Sequence, residues 1–204
     1  MENKLNYVMK SFSSVGDLPR CTENGFKVVR CPHETWNIIK EVYQLLKSSN
    51  QAEYFNGIED LINGENRPEL LSLDPIPYLR RLIHNNLLEI HEKWSNQELS
   101  PTFIYGIRSY LKDSTLKSHT DRIATHHISA IIIVDKDLDG QEDWPLDIQD
   151  HAGNWHKVYA QPGDMILYES AICEHGRLEP FKGNFFRNFY VHYKFKNYHY
   201  AGQQ

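Results

Sequence analysis

From Thr102 onward the chain breaks into short runs of β-branched and aromatic residues, and this texture limits the fold more than any other feature. TFIYGIRSYL, HHISAIIIVD, WHKVYA, DMILYES and FFRNFYVHYKF follow one another at close spacing. Asp-Gly, Ala-Gly-Asn, Pro-Gly-Asp and Lys-Gly-Asn stand between several of them, and these are turn chemistries. Many short strands with tight connections predict an antiparallel sandwich or barrel.

The first hundred residues carry a different period. FKVVR (26–30) reads as a short strand. Pro32 then opens a helical pattern in which Trp36, Ile39, Val42, Tyr43 and Leu46 share one face. Pro77 opens a second helix striped by Tyr78, Leu79, Leu82, Ile83, Leu87, Ile90, His91 and Trp94. Between them, 48–77 is broken by Gly57, Gly64, Pro68, Pro75 and Pro77. The expected fold is therefore mainly β with flanking helices (α+β), as one domain over 1–204. Residues 1–100 give mostly helical support, and 101–200 form the β core. At 204 residues, 40% hydrophobic and 24% charged, the chain has an ordinary globular balance.

Composition also narrows function. A net charge of −5 argues against an extended nucleic-acid surface. No apolar run reaches the roughly 18 residues of a membrane span. MENKLNYVMKSF at the start has no apolar leader core. Cys21, Cys31 and Cys173 are odd in number and far apart, which favours free thiols. The expectation is a cytoplasmic protein, with nothing in the sequence to fix its oligomeric state.

Chemistry concentrates in Ser118-His119-Thr120-Asp121, just before the IIIV strand. In extended backbone, residues i and i+2 point to one face, so His119 and Asp121 can share an ion. His175, which follows DMILYES, is the best third ligand. Two imidazoles and one carboxylate on a triangular face leave three adjacent positions open, which suits Fe(II) oxygenase chemistry. The tripeptide alone is weak in a chain with eleven His. A zinc site would draw on His126, His151 or His156, but none has a tight spacing.

Order along the chain adds the context. Tyr110 lies nine residues before His119 in YGIRSYLKDSTLKSHTDR. ISAIIIVDKDLDGQEDWPL comes next, then QPGDMILYESAICEHGRLEPFKGNFFRNFYVHYKF. From about Tyr105 to Lys194 the sequence resembles the catalytic domain of prolyl 4-hydroxylase-like 2-oxoglutarate/Fe(II) dioxygenases. The resemblance implies a double-stranded β-helix, or jelly roll, holding Fe(II) at His119, Asp121 and His175. It implies an enzyme that uses 2-oxoglutarate and O2, hydroxylates an unactivated C–H bond and releases succinate and CO2. Because Asp121 occupies the position a halide would need, hydroxylation is expected over halogenation. A prolyl residue in a peptide or protein is the expected substrate. A free amino acid or other small metabolite competes with it, and a non-catalytic metal-binding jelly roll is the rival class.

One motif departs from that family. The Lys or Arg that normally binds the far carboxylate of 2-oxoglutarate falls at Asn184 or Phe185 here. Arg187 shares Phe185's face and is the expected anchor, helped by the Tyr110 hydroxyl, while Lys182 sits too early in a turn. Arg177 is expected to touch substrate or to orient the metal ligands. The stretches 48–77 and 135–154, the latter carrying Trp144, are candidate lids over the site, together with Trp155 just beyond.

Overall fold

A computed structural model describes residues 10–54 and 58–201. Gly57 and most of the MENKLNYVMKSF stretch lie outside them. In chain order, β1 (Lys10–Phe12), β2 (Phe26–Arg30) and α1 (His33–Leu46) come first. Short pieces follow: β3 (Gln51–Ala52), α2 (Ile58–Leu61), β4 (Ile62–Asn63) and β5 (Glu69–Ser72). After α3 (Pro77–Ser95) come β6 (Leu99–Pro101), β7 (Gly106–Leu111), β8 (Thr115–His119), β9 (Ile128–Asp137) and β10 (Leu146–Gln149). The chain finishes through β11 (Trp155–Val158), β12 (Asp164–Tyr168), β13 (His175–Arg177), β14 (Phe185–Phe195) and β15 (Tyr198–Tyr200).

Two antiparallel sheets face each other as a jelly roll. The major sheet runs β2-β12-β9-β14-β7-β5-β3, with β6 also on β14. The minor sheet runs β11-β10-β13-β8-β4. β1 and β15 form a separate parallel pair.

The IIIV run shows why the sequence takes this form. Ala130, Ile132 and Val134 of β9 pack with Ile39, Ile83 and Leu87 from the helices. Ile131 and Ile133 turn the other way, into the space between the sheets, beside Tyr110, Leu116 and Phe186. Both faces are buried, so the strand is apolar throughout instead of alternating. One irregularity interrupts it. Arg187 pairs with Asp135 but Asn188 pairs with Ile133, so β9 carries an extra residue at Val134. Asp135 therefore joins Val134 on the helix side, and Lys136 turns inward.

α3 starts with Pro77 in its first turn and ends at Asn96, whose φ of 51° is left-handed. Its buried line is Ile83, Leu87, His91 and Ser95, at four-residue steps, while Tyr78 stands exposed outside the expected stripe. The first hundred residues also do more than supply helices. β2 and β5 extend the major sheet, and β4 edges the minor one.

Candidate metal centre and cavity

Strand pairing assembles the candidate ligands. His119 ends β8 and His175 begins β13, and the two are direct register partners, so their rings meet at 4.5 Å. The Asp121 N–H donates to the Ser170 carbonyl at 2.8 Å, which pins the turn after β8. An Asp121 oxygen then lies 3.7 Å from His119 Nε2 and 3.9 Å from His175 Nε2. One ligand atom from each of the three residues falls within 4.8 Å of the others.

The donor set fits a divalent metal. His119 Nδ1 lies 2.8 Å from the Lys117 carbonyl, and His175 Nδ1 lies 2.9 Å from that of Cys173. A carbonyl can only accept, so both Nδ1 atoms carry the proton and each Nε2 presents a lone pair toward Asp121. Burial pushes His175 down to about 4, and burial followed by the neighbouring His175 lowers His119, both shifts favouring the neutral imidazole. Burial raises the Asp121 carboxyl to about 6, against the opposing pull of His119, Ser170 and Tyr168. A carboxylate buried among neutral rings lacks a cation, and a metal ion would supply one. The Tyr168 hydroxyl donates to the other Asp121 oxygen at 3.4 Å, and His192 Nδ1 lies 3.6 Å from it.

The triad lines a cavity of about 470 Å³ between the sheets. Tyr110 and Tyr190 contribute to its inner wall. Arg108, Glu53, Tyr105 and His126 also line it. Arg108 is held by Glu53 through two short contacts, Nε–Oε2 at 2.6 Å and Nη2–Oε1 at 2.7 Å. Residues of 48–77 line the cavity, Glu53 among them. The 135–154 stretch does not: Trp144 is buried in the inner core, and Trp155, just past it, is exposed on β11.

Tyr110 stands where the sequence suggests, facing the triad's cavity. Arg187 does not. Its face of β14 is the helix side, where its guanidinium lies 3.5 Å from the Phe185 ring centre and 5.3 Å from that of Tyr43. It donates to Ser109 Oγ at 3.0 Å and to Asp135 at 3.4 Å. Phe185 itself faces outward, so counting from it selects the outer face. Lys182 is exposed. Arg177, only 2% exposed, points between the sheets, with the rings of Trp144 and Phe186 4.6 and 4.4 Å from its guanidinium.

The other histidines have separate duties. His151 bonds Glu169, and His156 bonds Asp150. His126 and His192 contact each other at 3.9 Å in the cavity wall. Sequence reasoning missed Arg108, Tyr190 and His192 as cavity residues. Even numbering on β14 with Phe186, and on β7 with Tyr110, would have found them once the inward face was known.

No protein-family model matches the sequence, and no curated protein does. Solved structures do match the fold. A Pseudomonas putida prolyl-4-hydroxylase aligns with TM-score 0.55 at 11% identity, covering 83% of this chain and 92% of that one. HygX from Streptomyces hygroscopicus, with nickel, 2-oxoglutarate and hygromycin B bound, gives 0.60 at 15%, covering 85% and 84%. A Burkholderia pseudomallei oxidoreductase of the 2OG-Fe(II) oxygenase family gives 0.60 at 13%, covering 96% and 99%. The chain thus has the jelly-roll fold of the 2-oxoglutarate/Fe(II) oxygenases.

Proposed function

We propose that this protein is a 2-oxoglutarate- and O2-dependent Fe(II) dioxygenase that hydroxylates an unactivated C–H bond. The observation that carries the reading is the pair of imidazoles locked by backbone carbonyls, their Nε2 atoms converging with Asp121 on a cavity inside this fold. His119, Asp121 and His175 would hold the iron. Bound iron and 2-oxoglutarate supply oxygen activation coupled to release of succinate and CO2.

The chain's own residues prepare that chemistry. Lys117 and Cys173 fix the imidazole tautomers. The Tyr168 hydroxyl donates to one Asp121 oxygen, leaving the other to face the metal position. Leu116 and Ile131 give the cavity an apolar part of its wall, which limits water around the reacting groups.

A prolyl residue of a peptide is the substrate reading that the resemblance and the Pseudomonas putida neighbour support. The cavity wall favours a second one. Arg108, Glu53, Tyr105 and His126 make its lining polar, which suits a polar small molecule, the class to which HygX's hygromycin B belongs. Screening peptides and metabolites for gain of one oxygen atom decides between them.

The first test needs no substrate. Anaerobic protein given Fe(II) and 2-oxoglutarate should develop a weak visible charge-transfer band. His175→Ala should lose both the band and iron-dependent succinate formation, while His156→Ala, on the polar outer strand, should keep both. No band in folded wild-type protein rejects the proposal.

A further inference from the structure

We propose that Arg177 of β13 anchors the far carboxylate of 2-oxoglutarate, so that the anchoring cation sits on the minor sheet instead of the closing strand of the major sheet. The inference rests on the proposed dioxygenase function. It concerns which of this chain's residues complete the site.

The closing-strand positions cannot serve. The Asn184 side chain is tied to Asp137 at 3.0 Å, and Phe185 lies under Arg187 on the helix side. Arg187 is held there by Ser109 and Asp135. Arg122 lines the cavity but is exposed to solvent. Three other cations have side chains directed between the sheets. Lys136 is matched by Asp143 at 2.6 Å and by the Ala160 carbonyl at 3.0 Å. Arg108 already holds Glu53 through two of its donors. Arg177 is the exception.

A guanidinium carries five N–H donors, and the Arg177 group donates one hydrogen bond, to the Trp144 carbonyl. No carboxylate of the described residues lies within ion-pair distance of it. The nearby acids are engaged elsewhere: Asp147 accepts the Leu178 N–H and Asp143 accepts Lys136. A buried cation without an anion is costly, and a ligand carboxylate removes that cost. The Trp144 and Phe186 rings flank the guanidinium and hold its fork in place.

Position agrees with chemistry. Arg177 follows His175 by two residues on the same strand, so both point inward. Two extended residues span about 6–7 Å, which is about the reach of a five-carbon diacid. The cavity beside His175 is lined by Tyr110 and Tyr190, and the Arg177 charge interacts with both tyrosines. Their hydroxyls lie 2.9 Å apart, and the Asn188 amide donates to Tyr190 Oη at 3.2 Å. Asn188 donates to Tyr190, and one tyrosine hydroxyl donates to the other. One O–H of the pair is then left to donate to a ligand oxygen. Asn188 Oδ1 is itself buried without a partner. Arg177 and the tyrosine pair together form a carboxylate receptor with nothing of the protein's own to receive.

The experiment compares two ligands that differ only at the far end. Calorimetry on Ni(II)-loaded protein gives affinities for 2-oxoglutarate and for 2-oxopentanoate, which has a methyl group in place of the far carboxylate. Wild type should prefer 2-oxoglutarate by roughly 100-fold, the scale of a buried charge-assisted pair. Arg177→Met should bind both acids alike, with 2-oxopentanoate affinity kept within a few-fold, which a folding defect would not allow. Arg177→Lys, which keeps the charge but not the fork, should leave a preference of roughly 10-fold. Arg187→Met should leave the wild-type preference. A preference that survives in Arg177→Met, or that vanishes in Arg187→Met, overturns the assignment while leaving the dioxygenase reading intact. Wild-type protein that binds neither acid overturns both.

Discussion

His91 is fully buried in α3, its Nδ1–H donating to the Leu87 carbonyl at 2.7 Å and its Nε2 without a partner. Burial pulls its pKa from 6.5 to about 4. The unfolded chain takes up this proton near 6.5, while the folded one resists until about 4. Stability from the neutral ring is therefore complete above pH 6.5 and is lost as the pH falls toward 4, by about 3 kcal/mol at the acid end. His84 and His127, also lowered to about 4 by burial, act in the same direction. Asp121, raised to about 6, acts oppositely in metal-free protein. Urea unfolding across this range should show a falling midpoint, and His91→Phe should flatten the slope by roughly one proton; an unchanged slope contradicts the assignment. Single residues also mark the limit of what the sequence discloses. His119, Asp121 and His175 are legible because an i, i+2 pair and ordered neighbours define them. Arg187 misleads because β14 carries aromatics on both faces, Phe185 and Phe189 outward and Phe186 and Tyr190 inward, so no polarity contrast marks the cavity side.

At the scale of elements, β9 separates stability from ligand binding within two adjacent residues. Ile132 is buried against the helices, and Ile131 lines the cavity. Ile132→Ala should cost about 2–5 kcal/mol in unfolding free energy and leave the 2-oxoglutarate affinity of the metal-loaded protein unchanged. Ile131→Ala should weaken or alter that affinity as well, by enlarging the cavity. Equal effects on binding would show that the two faces are not independent. The long strands and both long helices were legible from period and punctuation. The short pieces between 51 and 72 were not, because two-residue strands such as β3 and β4 are defined by their partners and not by their own pattern.

The whole molecule is two apolar layers sharing the major sheet, one against the helices and one between the sheets. The inner layer holds two polar groups whose needs a ligand can meet: Asp121, converging with two imidazoles, and Arg177, without a carboxylate partner among the described residues. Filling both should stabilise the entire domain, since a ligand bound only by the folded state adds about 2.7 kcal/mol at 100 times its dissociation constant. Thermal scans should show a rise with Ni(II) and a further rise with 2-oxoglutarate, and His175→Ala should abolish both increments. An equal response in that variant would place binding elsewhere. That N-terminal residues also belong to the sheets was visible only for FKVVR, since β2 alone among the early strands is long enough to carry its own signal.

The extra residue in β9 has a consequence for chain length. Excising Val134 would restore strict alternation without turning any neighbour over: Ile133 would still face the space between the sheets, Asp135 the helices and Lys136 the inner side. The Lys136–Asp143 and Arg187–Asp135 pairs would both be kept. What would be lost is one buried side chain from the layer against the helices. Homologous chains should therefore differ by one residue at this point with the strand pairing unchanged on either side, and a one-residue gap here in an alignment marks the bulge.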